Sequence, residues 1–330
     1  MLNAEEKQFI IKICKLYYFE SWTQEKIAVK YGISRPAVSK LLQKARDEGI
    51  VEIVIHDERP EAGELEKELE AAFALKQAVV VPTRDLNEDL IYSTVGKAAA
   101  QFVLRTMKQA ERIGVSWGTT LHCAVKEFPF EKKDHVKIIP LVGGMGNDKT
   151  EIHSNQIAYE LSKKLGAKCE SLYAPAVVET EELKNQLVQL PHIASVLEEG
   201  KQIDLALVGI GNPFALSTME QIGYLTADVL QELKAMDAVA DINSRFIDKN
   251  GALCRHPINN KVIGMELEQL RSVKTVIGIA VGSHKIDSIL AALKGNYLHV
   301  LITDEETASG LSARLREQPS HSKLSMEESP

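Results

Sequence analysis

The stretch TQEKIAVKYGISRPAVSKLLQKARDEGIV, Thr23 to Val51, decides how the N-terminal end of this chain folds. Ser21 and Thr23 precede the short run Gln24–Tyr31 as candidate N-caps, since a hydroxyl there can accept from an amide left open in the first turn. Gly32 can adopt a left-handed conformation and turn the chain sharply. Ser34 caps the next run, and Pro36 falls in its first turn, where a missing N–H costs little. In that run Val38, Leu41, Leu42 and Ala45 face one side. Arg35, Ser39, Lys40, Gln43 and Lys44 face the other. Upstream, Phe9, Ile10, Ile13, Leu16 and Tyr17 give helical spacing over Glu5–Tyr18. Small Ala28 allows a close helix crossing, and Ile27, Ile33, Val38 and Leu41 supply a small core. The pattern is a helix-turn-helix.

Charge gives this module a partner. Ser34–Arg46 carries four basic residues (Arg35, Lys40, Lys44, Arg46) and no acid. Residues 1–50 hold 9 Lys+Arg against 6 Asp+Glu, a balance of +3, so with −7 overall the other 280 residues carry −10. A basic module on an acidic body implies nucleic acid at one end only. The third helix is expected to enter the major groove of operator DNA by its N-terminal half. Arg35 and Lys40 can reach guanine edges or phosphates, and Gln43 can pair with adenine. Thr23, Ser34 and Ser39 can hold phosphates, which position the module without reading sequence. Gln24, Ala37 and Lys44 complete the expected DNA-facing set.

Hydrophobic residues make up 45% and charged residues 26%, the balance of a globular chain. The four cysteines, Cys14, Cys123, Cys169 and Cys254, are far apart with no zinc-type spacing, so free thiols in a reduced cytoplasm are expected. No apolar run is long enough to span a membrane, and no metal or cofactor motif stands out.

Beyond the module, apolar β-rich runs alternate with helical patterns such as Asp89–Met107 and Glu151–Leu165. GIVEIVIHDE alternates as a short strand leading out of the module, and the strand candidates beyond it are AVVVP, RIGVSWG, VKIIPLVGG, CESLYAPA, DLALVGIG, AVADINSRFID, TVIGIAVG and HVLITDEE. Such alternation predicts an α/β fold, a doubly wound and mainly parallel sheet. The expected division is a DNA-binding domain over 1–56, a linker over 57–62, an effector-binding and oligomerisation domain over 63–316, and a disordered polar tail over 317–330.

Several strands end in Gly-rich turns: GVSWGTTL, LVGGMGND, VGIGNPF and IAVGSHK. Ligands of such folds sit at the carboxyl ends of the strands, where glycine permits close backbone approach and a following helix offers open N–H groups to an anion. Ile113–Trp117 leads to Gly118, then the hydroxyls of Thr119 and Thr120, then a helix: a phosphate cradle. It is neither a dinucleotide fingerprint nor a P-loop. Asp241 and Arg245 lie an even number apart on one presumed strand, so they are expected on one face. Asp241 can accept from two sugar hydroxyls, and Arg245 or Lys285 can neutralise phosphate. No carboxylate pair or Cys/His/Ser set is spaced for catalysis, which speaks against the alternative reading, a sugar-phosphate isomerase- or deaminase-like enzyme carrying a DNA-binding module.

The two halves together resemble the SorC-type, sugar-binding transcriptional regulators of bacteria. The resemblance spans about residues 8–316 and rests on LYYFESWTQEKIAVKYGISRPAVSKLLQKARDEGIV, Ile113–Thr120, PLVGGMG, LVGIGN, DINSRFID, VIGMELEQLRSV and HVLITDEETA. It implies an effector domain related to sugar-phosphate isomerases and deaminases, a tetramer, and DNA affinity altered by a phosphorylated sugar or a related catabolic intermediate. Residues alone leave dimer and tetramer open. By motif, the loop Ser116, Trp117, Gly118, Thr119 and Thr120 would hold phosphate, and Gly143 and Gly144 would border the site. Asp241 and the backbone at Asn243 would contact hydroxyls, and Lys285 the charged end. Val142 stands where some members have a Schiff-base lysine, so covalent capture is not expected there.

Overall fold

The computed structural model describes residues 4–52, 60–144 and 149–317, and the chain divides into two compact units, Met1–Glu58 and Arg59–Pro330. The tail from 318 onward and most of the segment GIVEIVIHDE lie outside the described residues.

In the first unit, helices α1 (Ala4–Cys14), α2 (Gln24–Tyr31) and α3 (Arg35–Asp47) pack around Ile10, Ile13, Leu16, Ile27, Ala28, Val38, Leu42 and Ala45. α1 is prolonged by a wider turn, Lys15–Phe19. Thr23 Oγ1 accepts from Lys26 N–H at 3.2 Å and Ser34 Oγ from Ala37 N–H at 3.3 Å, so both hydroxyls cap. Ser21 does not cap; its φ of 54° turns the chain into that start. Gly32 sits at φ 66° and ends α2.

The second unit is built on seven parallel strands in the order β1-β9-β8-β5-β2-β3-β4. They are β1 (Gln77–Val81), β2 (Arg112–Val115), β3 (Lys137–Pro140), β4 (Lys168–Cys169), β5 (Leu205–Gly209), β8 (Thr275–Ala280) and β9 (Val300–Asp304). Side chains alternate between two cores, as a pleat requires. On β5, Leu205 and Leu207 join one core while Ala206 and Val208 join the other. On one face α5 (Glu88–Thr106), α6 (Thr119–Lys126) and α7 (Ser154–Leu165) cover the sheet. On the other lie α4 (Pro60–Phe73) and the helices Pro191–Gly200, Ile286–Lys294 and Glu305–Glu317. α4 therefore begins inside the stretch expected to be linker.

Two strand readings need correction. CESLYAPA contributes only Cys169 to the two-residue β4 (Lys168–Cys169); the rest is loop, in which Pro175 bridges to Gly144, and Val177 just after it bridges to Val262. AVADINSRFID is a hairpin and not one strand: β6 (Ala238–Ile242) pairs antiparallel with β7 (Arg245–Asp248). Asn243 and Ser244 form its two-residue turn at φ 51° and 65°, the left-handed pair that suits the twist of a tight hairpin.

Candidate functional site

Sheet order places the second unit's cavity. From β2 the chain winds outward to β3 and β4; it then returns to the other side of β2 as β5. The direction of winding reverses between β2 and β5, and loops at such a switch point diverge and leave a crevice. A cavity of about 590 Å³ opens there, between the segments that follow β2, β5 and β8.

The β2 segment supplies Ser116, Trp117, Gly118, Thr119 and Thr120 to its lining. Gly118, at φ 122°, opens α6 with no side-chain cap, so the first amides of the helix face the cavity unclaimed by a cap. Thr120 is buried and Thr119 exposed beside them.

The β5 segment supplies Gly211 and Asn212. Gly211 and Asp241 exchange backbone hydrogen bonds of 2.9 and 3.0 Å, which brings the hairpin against the end of β5. Asp241 is thereby held in the cavity wall, 7% exposed. Burial raises its carboxyl to about 6, against the pull of the Lys285 ammonium and the Ser244 amide. Asn243 is saturated: its amide donates to the Leu141 and Met265 carbonyls and its oxygen accepts from Ser116 Oγ at 3.0 Å. Its side chain fixes the hairpin and has no hydrogen left for a ligand.

The β8 segment carries Lys285. Gly282 N–H donates to Asp304 Oδ2 and Thr307 Oγ1, each at 3.0 Å, while Asn212 Nδ2 donates to the His284 carbonyl at 2.7 Å. Side chains from the ends of β5 and β9 thus clasp the turn that presents the lysine. Burial lowers the Lys285 ammonium, and the carboxylates of Asp241 and Asp304 act against that. His284 is lowered by burial and by Lys285, so it stands neutral near pH 7. Chemically, the wall offers open amides, hydroxyls and an ammonium to an anion, and a carboxylate to hydroxyl donors.

Three expected residues are not in this lining. Arg245 points away because the tight hairpin reverses the chain between it and Asp241. It is fully buried, donating to Glu266 at 2.8 Å and to the Gly264 carbonyl at 3.2 Å. Gly143 and Gly144 face another way. The Gly143 amide donates to Ile263 and the Gly144 amide to Ala174, and a Cβ on Gly143 would meet the Ala174 carbonyl at 2.4 Å. The missing side chain at Gly143 serves strand-end packing. Conversely, Asn212, Lys149, Gln221, Glu88 and Asp89 line the cavity and were not anticipated. The turn VGIGNPF could have pointed to Asn212; nothing local marks the others.

In the first unit, Arg35, Ser39, Lys40 and Lys44 are all exposed on α3. Gln24 and Ala37 are partly covered. Gln43 is exposed but engaged: it donates to Asp47 at 2.8 Å and accepts from Arg46. Lys26 lies over the Trp22 ring at 3.9 Å. No helix among the described residues is long and apolar enough to cross a membrane.

Residues 59–312 match the sugar-binding domain family, and residues 2–48 match sigma-70 region 4. The chain is 33% identical to the sorbitol operon regulator of Klebsiella pneumoniae, over 93% of this chain and 98% of that one. It is 33% identical to the deoxyribonucleoside regulator of Bacillus subtilis strain 168, over 94% and 99%. Among solved structures, the full-length sorbitol operon regulator SorC from Klebsiella pneumoniae superposes with a TM-score of 0.78 at 34% identity, covering 94% of this chain and 99% of that one. A DeoR family transcriptional regulator from Listeria monocytogenes gives 0.72 at 39%, covering 76% and 99%.

Proposed function

Since this chain belongs to the SorC-type family of sugar-binding transcriptional regulators, we propose that it binds operator DNA with an affinity set by a phosphorylated sugar. One observation carries the effector half: the α6 amides, Thr119, Thr120, Lys285 and Asp241 converge on a single cavity. In this reading the phosphate rests on the first turn of α6 with the Lys285 ammonium against it. The sugar hydroxyls donate to Asp241. A charged ligand suits such a cradle because charge-assisted hydrogen bonds are roughly twice as strong as neutral ones.

The DNA half rests on the stretch Arg35–Arg46 of α3, which carries no acid, with the exposed Arg35, Lys40 and Lys44 toward the duplex. Residues 1–56 would act as the reader and 63–316 as the sensor. A reader of about 50 residues reaches useful affinity through paired half-sites, so the working form is a dimer or tetramer. Control then follows from linkage: an effector that favours one arrangement of paired readers shifts operator affinity by about 1–3 kcal/mol. A catalytic role as an isomerase or deaminase has no comparable support, because fold kinship does not carry activity.

The test is a mobility shift on DNA upstream of the chain's own gene, with sorbitol 6-phosphate, deoxyribose 5-phosphate, fructose 6-phosphate and each unphosphorylated sugar. The relatives named for sorbitol and deoxyribonucleosides put the first two at the head of the panel. A phosphate should change DNA affinity without being consumed. Turnover of a sugar phosphate, or equal potency of the free sugar, would overturn the proposal.

A further inference from the structure

If a phosphate dianion does occupy the cavity as just proposed, the charges around it do not balance with Lys285 alone. The Lys285 ammonium already feels two carboxylates, Asp241 and Asp304. Lys126 also lines the cavity, among several carboxylates. It shares the surroundings of Cys123 with Glu127 and Asp89, and those of His122 with Glu151 and Glu160. A dianion held by these lysines would face a surplus of negative charge.

Lys149 differs from both. Its ammonium donates to Gln221 Oε1, a neutral amide, and no carboxylate among the described residues pairs with it. Both side chains line the cavity, Lys149 from the approach to α7 and Gln221 from the short helix Thr218–Gln221. The backbone puts Lys149 beside the cradle. Ile152 N–H donates to the Lys149 carbonyl at 3.1 Å, and Gly118 N–H donates to the Ile152 carbonyl at 3.0 Å. The turn headed by Lys149 therefore hangs from the residue that opens α6. Lysine is a point charge on a flexible stem, so its ammonium can exchange an amide oxygen for a phosphate oxygen without moving the backbone.

We propose that Lys149 is the second cation of the phosphate site, held at the cavity mouth by Gln221 until the anion arrives. Leaving Gln221 costs one neutral acceptor and gains a charged one, which is the stronger bond. The exchange also releases Gln221, so the mouth of the cavity changes its contacts when phosphate binds.

The experiment uses the full chain and inorganic phosphate, titrated against chloride at matched ionic strength and read by thermal shift. Wild type, Lys149→Gln, Lys149→Arg and Lys126→Gln are compared; the last removes the same charge from the same lining. Phosphate should stabilise wild type, Lys149→Arg and Lys126→Gln, while Lys149→Gln binds it about tenfold more weakly or worse, the loss of one charge-assisted hydrogen bond. If Lys149→Gln loses no more than Lys126→Gln while wild type responds, the assignment of Lys149 is wrong and the phosphate site stands. If wild type itself ignores phosphate, the phosphate reading of the cavity fails and Lys149 falls with it.

Discussion

Replacing Gly211 by alanine should silence the effector response without touching the DNA reader. A Cβ at this position would lie 1.9 Å from Asp241 Oδ1 and 2.8 Å from its Cγ. The backbones cannot separate to make room, because the two residues are joined by hydrogen bonds in both directions. The carboxylate must rotate out of its position in the wall. Overpacking of this kind costs about 1–3 kcal/mol of stability. The larger consequence is chemical: a hydrogen bond to a charged group is worth about 1.5–3 kcal/mol. Effector affinity should therefore fall by about ten- to a hundredfold. Calorimetric titration with whichever sugar phosphate binds wild type measures this, and a mobility shift without effector checks that operator affinity is kept. Asp241→Ala should lose a similar amount, and the double variant little more, since both act through one carboxylate. If Gly211→Ala binds effector as tightly as wild type, Asp241 does not read the sugar.

Two further outcomes are expected. Burial raises the Asp241 carboxyl from 3.8 to about 6, so between those values the folded protein holds a proton that the unfolded chain has released. The stability from that proton is present below the unfolded value and is lost as pH rises through about 6, a span of about 3 kcal/mol. Wild type should accordingly lose stability relative to Asp241→Asn on going from pH 4 to pH 7; urea midpoints that keep a constant gap would contradict it. On the DNA side, Arg35→Ala and Lys40→Ala should each weaken operator binding by about 1–3 kcal/mol if the residue reads a base. If it touches phosphate, the salt slope should fall by about 1. Both side chains are exposed, so the circular dichroism spectrum should not change, and unaltered affinity in both variants would remove α3 as the reading face.

The reader was legible from sequence because its determinants are local. Two hydroxyl caps, a left-handed glycine and an apolar stripe all act within a few residues of where they sit. The same holds for the parallel strands and for Gly118, where a strand gives way to a helix over one turn. Gln43 shows the limit of such reading: helical spacing puts it outward, yet its neighbours Arg46 and Asp47 occupy its amide.

What sequence alone could not decide is which strand ends meet. β2, β5 and β8 lie far apart in the chain, and only the sheet order makes their loops neighbours. That order collects Asn212, Lys149 and Gln221 around the cavity and sends Gly143 and Gly144 elsewhere. Asp241 and Arg245 were separated by a smaller event. Asn243 and Ser244 take positive φ without a glycine to announce it, so an even spacing that promised one face became a reversal. Asn243 holds that turn because its amide meets the carbonyls of Leu141 and Met265, far from it in sequence. Periodicity is set by each residue's own backbone, but the partners that saturate a buried amide or set the pKa of a carboxylate are brought by the rest of the fold.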